Sequence, residues 1–346
     1  MKKNLKDLTI EELKQFCVGE GLEPYRANQI FRSIWKGDIR RIADITTISK
    51  KSRSLLSEKA SIKVLKQLET KRSRDRTVKF LFGLEDGNTV ESVYIPTKKR
   101  KTVCVSTQVG CALKCEICMT GKSGFKRNLR AWEIADQVRR IASYADKNIS
   151  NVVMMGMGEP LLNYTNVIRA ARIMNDDIGM NIGARKITIS TAGIIPGIIR
   201  LARESMQVKL AVSLNAADDE KRDRIMPINR KYNLSRLMGA LNEYYAEKGK
   251  RVTFEYVIIK DFNDSVKDAK ELAGITKGIP CKINIIPYNP VIGVDFKRPG
   301  AGRIERFMEC LYPITQAVTM RESRGADISG ACGQLRSRRH GKDRSE

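Results

Sequence analysis

Three cysteines crowd one short loop, Gly110-Cys111-Ala112-Leu113-Lys114-Cys115-Glu116-Ile117-Cys118. Thiolates at C-x₃-C-x₂-C spacing can wrap one face of a compact, soft metal centre. A closed tetrahedral zinc site wants four ligands, and this loop offers no fourth cysteine. The chain's single histidine, His340, lies far off in a polar basic tail. A cubane [4Fe–4S] cluster held by three cysteines leaves one iron open to a substrate. The spacing alone leaves both metals possible. The lone histidine excludes Ser-His-Asp and Cys-His mechanisms in practice, and zinc chemistry built on imidazoles with them.

Other small polar groups recur at apolar runs' ends. Met155-Gly156-Met157-Gly158-Glu159-Pro160 offers two glycines for close backbone approach and a carboxylate that can accept from an amine. Ser190-Thr191-Ala192-Gly193, Ser213-Leu214-Asn215 and Pro287-Tyr288-Asn289-Pro290 follow the same rule. Each alone reads as a turn or helix cap. Their recurrence beside a three-cysteine loop reads as a ligand site.

Such groups need a scaffold that brings strand ends together. The pattern predicts strands over 101–107, 151–155, 186–190, 207–213, 252–258 and 281–286, with a further one at 316–321. Helices are expected at 131–146, 163–176, 194–204, 234–247, 265–277 and 303–312. Alternating β and α units imply a parallel sheet, doubly wound or curved into a partial barrel, with chemistry at the carboxyl ends of strands. Before this core, Thr9 with Glu12 makes a capping box, and Pro24 opens a helix with Ile30, Phe31, Ile34 and Trp35 on its apolar face. Another helix is expected over 50–59. Val78–Leu84 and Thr89–Ile95 flank Glu85-Asp86-Gly87-Asn88, a hairpin turn. The division is a helical accessory domain at 1–61, a β-hairpin extension packing on the core at 62–100, a core domain at 101–330 and a C-terminal segment at 331–346.

The net charge of +25 on 346 residues favours a polyanionic partner. The cations cluster at Lys71–Arg72–Arg74–Arg76, Lys98–Lys99–Arg100–Lys101, Lys126–Arg127–Arg130 and Arg336–Arg338–Arg339. No apolar run is long enough to span a bilayer, and the N-terminus lacks the apolar stretch of a signal peptide. A cytoplasmic, reducing setting follows, in which clustered cysteines signal metal or catalysis. Cys17, Cys281 and Cys310 match no motif and read as buried structural residues. Met119, Met154, Met155 and Met157 read as core filling.

These motifs resemble a known family. The cysteine loop on the first strand of a (β/α)₆ partial barrel, followed by Gly-Glu-Pro, is similar to the radical S-adenosylmethionine (SAM) superfamily. "CVSTQVGCALKCEICMTG", "GMGEPLLN", "IMPIN", "IPYNP" and "RGADISGACGQL" resemble its RlmN/Cfr group of ribosomal RNA adenine methyltransferases. The resemblance runs from about residue 91 to 335.

It implies an α/β fold with a partial (β/α)₆ barrel, a [4Fe–4S] cluster on Cys111, Cys115 and Cys118, and two SAM molecules per turnover. Gly158 and Glu159 would hold the SAM amino group, and Ser190, Ser213, Leu214, Asn215 and Asn289 the rest. Cys332 would carry the methyl group, with Cys104 its partner in a transient disulfide and Glu91 the proton acceptor. Ile117 departs from the aromatic residue common at that position, so apolar contact survives and stacking does not. The implied partners are 23S rRNA, tRNA with its adenosine 3′ of the anticodon, and an external flavodoxin- or ferredoxin-type electron donor. No membrane is implied, and the chain is expected to be a monomer. "GMGEPLLN" and "IPYNP" resemble the C2-methylating side more than the C8-methylating side. A non-methylating radical enzyme and a non-catalytic RNA-binding metal protein are the rival classes.

Overall fold

The computed structural model describes residues 2–145, 149–312 and 317–336. His340, Arg338 and Arg339 lie outside the described residues, as do the ends of the predicted helix at 146 and strand at 316.

Three helices open the chain: α1 (Ile10–Gly19), α2 (Tyr25–Trp35) and α3 (Lys50–Lys59). The Thr9–Glu12 capping box forms in both directions, with the Glu12 amide donating to Thr9 Oγ1 at 3.3 Å and the Thr9 amide to Glu12 Oε2 at 2.9 Å. The apolar stripe of α2 buries Ile30, Phe31, Ile34 and Trp35.

Among the described residues, ten strands then form one sheet: β1 (Lys66–Arg72), β2 (Val78–Gly83), β3 (Thr89–Pro96), β4 (Lys101–Cys104), β5 (Asn151–Met154), β6 (Ile187–Thr191), β7 (Lys209–Ser213), β8 (Val252–Ile258), β9 (Cys281–Pro287) and β10 (Val318–Met320). Spatial order follows chain order throughout. β4 to β10 run parallel, while β1 to β4 form an antiparallel meander that continues the same sheet. The expected hairpin therefore gains a third strand, β1, and pairs edge-on with β4. The crossovers carry α4 (Ala131–Tyr144), α5 (Tyr164–Asn175), α6 (Ile195–Ala202), α7 (Leu234–Lys248), α8 (Val266–Thr276) and α9 (Ala301–Glu309).

Alternation sorts each strand's side chains. On β8, Val252, Phe254, Tyr256 and Ile258 are buried in the core, while Glu255 and Val257 line an inner cavity. That one cavity is reached from β5, β6, β7, β8 and β9. In a flat sheet β5 and β9 would stand about 19 Å apart, so the parallel strands curve around a common lumen.

The N-terminal helices are held to this core by a buried ion pair. Lys6 Nζ lies 2.6 Å from Asp136 Oδ1, both fully buried, and Asp136 Oδ2 accepts from the Leu65 amide at 2.8 Å.

Candidate active site

The cysteine loop leaves β4 through a two-stranded ribbon, Gln108–Gly110 against Phe125–Asn128. Gly110 has φ +73°, and a Cβ there would collide with the Gly124 carbonyl, so only glycine lets the ribbon close beneath the loop. Cys111, Cys115 and Cys118 all line the cavity. Burial pushes the Cys111 thiol up to about 12. Cys115 is raised further, by burial first and then by Cys118, Cys111 and Glu159. The three sulfurs thus feel one another. Yet among the described residues no three Cys, His, Asp or Glu side chains converge as the ligands of one ion would.

Gly158 turns with φ +96° so tightly over Gln108 that any Cβ would strike that side chain. Gln108 Oε1 accepts the Glu159 amide at 2.8 Å, and its Nε2 donates to Asn128 Oδ1 at 2.7 Å. Glu159 is buried in the cavity wall. Its Oε2 accepts from the Ala192 amide at 2.7 Å and its Oε1 from Leu161 at 3.0 Å. Burial nevertheless raises its carboxyl to about 7, against those bonds. Asn163, ending the same motif, donates to the Thr107 and Leu129 carbonyls, both at 2.8 Å.

Ser190, Ser213, Asn215 and Asn289 line the cavity. Leu214 does not: its side chain is buried in the core, and its backbone bonds the Glu255 carbonyl and Arg222. Asn215 sits at φ +61°, with Oδ1 accepting from the Val257 amide at 3.0 Å and Nδ2 directed to Met226 Sδ at 3.1 Å. A fully buried arginine that the sequence reading passed over locks these ends together. Arg222 donates to the carbonyls of Leu214 (3.0 Å) and Ala192 (2.7 Å) and to Asn229 Oδ1 (2.7 Å). The "IMPIN" motif is thereby explained, since Met226 lines the cavity and Asn229 braces Arg222.

The C-terminal segment folds back over the mouth. The Met119 amide donates to the Gly333 carbonyl (2.7 Å), Thr120 Oγ1 to that of Leu335 (2.6 Å) and Asn289 Nδ2 to that of Cys332 (3.2 Å). Cys332 is exposed, yet lines the same cavity as the cysteine loop. Cys104, at the end of β4, is buried, and its sulfur accepts from the Met155 amide. Burial pushes its thiol up to about 12, with the nearby Cys332 adding to the shift. Glu91 stands behind the cavity wall: Oε1 pairs with Lys79 Nζ at 3.1 Å and Oε2 accepts from the Arg336 amide at 3.0 Å. Lys79 also donates to the Ser329 carbonyl at 3.1 Å.

Two expectations change. Cys310 is only half-buried, unlike Cys17 and Cys281. Met154 and Met155 line the cavity as well as filling space, and Met157 Sδ takes the Glu91 amide at 3.4 Å. A larger cleft of about 860 Å³ lies between α1 and α5. Among the described residues no thiol lines it, and two ion pairs, Arg169 with Glu12 and Arg172 with Glu204, cross it.

Residues 105–273 match the radical SAM superfamily, and residues 3–62 match the ribosomal RNA large subunit methyltransferase N-terminal domain. The dual-specificity RNA methyltransferase RlmN of Pelobacter propionicus is 47% identical, over 97% of this chain and 96% of that protein. The chain belongs to the RlmN family. The probable RlmN of Thermotoga petrophila is 48% identical over 97% of the chain and 98% of its own length. A radical SAM methyltransferase structure from Sphaerobacter thermophilus superposes with a TM-score of 0.91 at 44% identity, covering 96% of this chain and 99% of the other. As an RlmN-family member the chain is a radical SAM RNA methyltransferase, and the family's cofactors are a [4Fe–4S] cluster and SAM. The donor set fits both. Three thiols spaced around a cavity, rather than converging on one point, suit a cubane whose thiolates bind separate irons. Binding as thiolates also relieves the cost of burying them. Buried Glu159 gains the counter-charge it lacks when an ammonium approaches. No helix among the described residues is long and apolar enough to cross a membrane.

Proposed function

We propose that this chain methylates C2 of the peptidyl-transferase-centre adenosine in 23S rRNA, and the adenosine 3′ of the anticodon in some tRNAs. The observation that carries the reading is the placement of Cys332. It hangs from a segment stitched over the mouth, lines the cavity of the three-cysteine loop, and lies beside Cys104. The C2 assignment draws support from "GMGEPLLN" and "IPYNP".

When bound, the cluster on Cys111, Cys115 and Cys118 and its SAM supply one-electron chemistry and the methyl group, which no side chain here can offer. The remaining work belongs to the chain. Glu159 and the Gly158 backbone hold the SAM amino group, and Ser190, Ser213, Asn215 and Asn289 orient the rest, with Leu214 supporting them from the core. Cys332 Sγ carries the methyl carbon to the base. Cys104 Sγ then attacks Cys332 Sγ: the bond from that sulfur to the transferred carbon breaks, its electron pair stays with the carbon, a proton completes the methyl group on the base, and a disulfide remains. Glu91 accepts the proton lost from the base carbon. Taking it on Oε2 costs the Arg336 amide bond, which couples proton transfer to loosening of the C-terminal segment. The enzyme works as a cytoplasmic monomer supplied by a flavodoxin- or ferredoxin-type donor.

Anaerobically reconstituted enzyme, incubated with a ribosomal RNA fragment and reductant, is expected to yield 2-methyladenosine on nucleoside mass spectrometry, and the Cys332→Ala chain none. Obtaining 8-methyladenosine instead would overturn the C2 assignment. A Cys332→Ala chain that still methylates would overturn the carrier role.

A further inference from the structure

One charge pair, a buried carboxylate and a partly exposed guanidinium, faces the cavity without a role in the scheme above. Glu255 on β8 is 5% exposed and lines the cavity together with Arg321, the residue after β10. Glu255 Oε1 accepts from Asn284 Nδ2 at 2.9 Å, and Asn284 Oδ1 in turn accepts from Thr319 Oγ1 at 2.7 Å. Glu255 Oε2 is buried without a hydrogen bond and lies 3.9 Å from Arg321 Nη1. A buried carboxylate with an unsatisfied oxygen costs stability unless a nearby charge offsets it. Three strands are therefore committed to fixing one guanidinium. Its Nη1 also donates to Met155 Sδ at 3.7 Å, and the Met155 backbone amide is the group bonded to the Cys104 sulfur. Cys332 lines the same cavity wall as Arg321. The guanidinium thus neighbours both sulfurs.

We propose that Arg321, anchored by Glu255, is a positioning residue for the thiol pair, its charge stabilising Cys104 as the thiolate that attacks Cys332. The proposal rests on reading Cys104 and Cys332 as partners. The thiolate is the nucleophile in sulfur exchange, and Cys104 is badly placed to form it. Burial raises its thiol and a thiolate at Cys332 raises it further, while Arg321 and the Met155 amide oppose both. Glu255 from β8 and Lys282 from β9 are the other charged groups facing Arg321. Arginine suits the task because its planar guanidinium keeps its charge even beside a partly desolvated site. In the exchange Cys104 gives its proton to solvent and its sulfur bonds Cys332 Sγ. The bond from Cys332 Sγ to its substituent breaks, and the electron pair leaves on the substituent.

A mixed disulfide isolates this step from cluster, SAM and RNA. In the full-length chain carrying Cys111→Ser, Cys115→Ser and Cys118→Ser, exposed Cys332 is labelled with dithionitrobenzoate. A second, slower release of thionitrobenzoate reports attack by Cys104, with the new disulfide mapped by mass spectrometry. Arg321→Met is expected to slow this release about tenfold at neutral pH and to shift its pH profile upward by about one unit. Arg321→Lys should restore most of the rate, and Glu255→Gln should lie between, with circular dichroism checking the fold of each. An Arg321→Met chain matching the parent in rate and pH profile overturns the proposal. If the parent shows no second release, or shows it still with Cys104→Ser, the partnership of the two thiols fails, and the role of Arg321 with it.

Discussion

Glu159 shows how one side chain is made available by its neighbours. Two backbone amides fix its oxygens, yet burial keeps its carboxyl raised to about 7 from the ordinary glutamate value of 4.5. A carboxyl raised in the folded state binds protons more tightly there than in the unfolded chain. Stability is therefore lost as pH rises from about 4.5 through 7. In the cofactor-free chain, Glu159→Gln should gain on the parent over that window, by at most about 3 kcal/mol, as read from urea melts between those pH values. A constant gap across the window would contradict it. Arg222 works in the opposite sense, as structure alone. Arg222→Met strands two strand-end carbonyls and Asn229, and should cost roughly 3 kcal/mol in the same melts. Neither Gln108 nor Arg222 was legible as a site residue in the sequence. Both act through backbone groups of residues far off in the chain, and only the fold brings those groups near. The three-cysteine loop, Gly158, Glu159 and the strand-end polar residues were legible because they follow the ends of parallel strands, whereas Cys332 was marked only by its motif's resemblance to the family.

The elements were legible to the degree that their burial was one-sided. β8 is foreseen at its observed bounds, since apolar and inward positions alternate cleanly along it. β1 was missed because its seven residues, Lys66–Arg72, are mostly exposed and give no apolar face to read. Residues 331–336, the described part of the C-terminal segment, carry no helix or strand, so only their motif marked them. Beside the bonds from Met119, Thr120 and Asn289, Lys79 adds to the segment's hold by serving both Glu91 and Ser329. Lys79→Met leaves Glu91 buried and unpaired, at a cost of about 3 kcal/mol or more. Limited proteolysis should then cut within residues 325–336 well before the parent is cut there. Unchanged cleavage in that stretch would show that the segment is held by other contacts.

At the scale of the whole molecule, the charge is not evenly available. Arg127 is consumed by Asp86 and Glu133, so its cluster offers less to a polyanion than the sequence suggests. Arg74 and Arg76 are exposed and sit on the turn that grips the segment, through the Arg74 amide to Asp327 and Asp75 to the Gly325 amide. That places free cations at the rim of the mouth. Replacing Arg74 and Arg76 with alanine should weaken RNA binding and flatten its dependence on log salt by up to about two units; an unchanged slope would move the RNA elsewhere on the surface. The central claim is that Cys332 delivers the methyl carbon to C2 of adenine. It is tested most directly by anaerobic turnover with methyl-deuterated SAM and mass spectrometry of the digested RNA. The expected product is 2-methyladenosine carrying two of the three deuteriums, because the carbon passes through Cys332 as a methylene. A product retaining all three would mean direct methyl transfer, and would contradict the account.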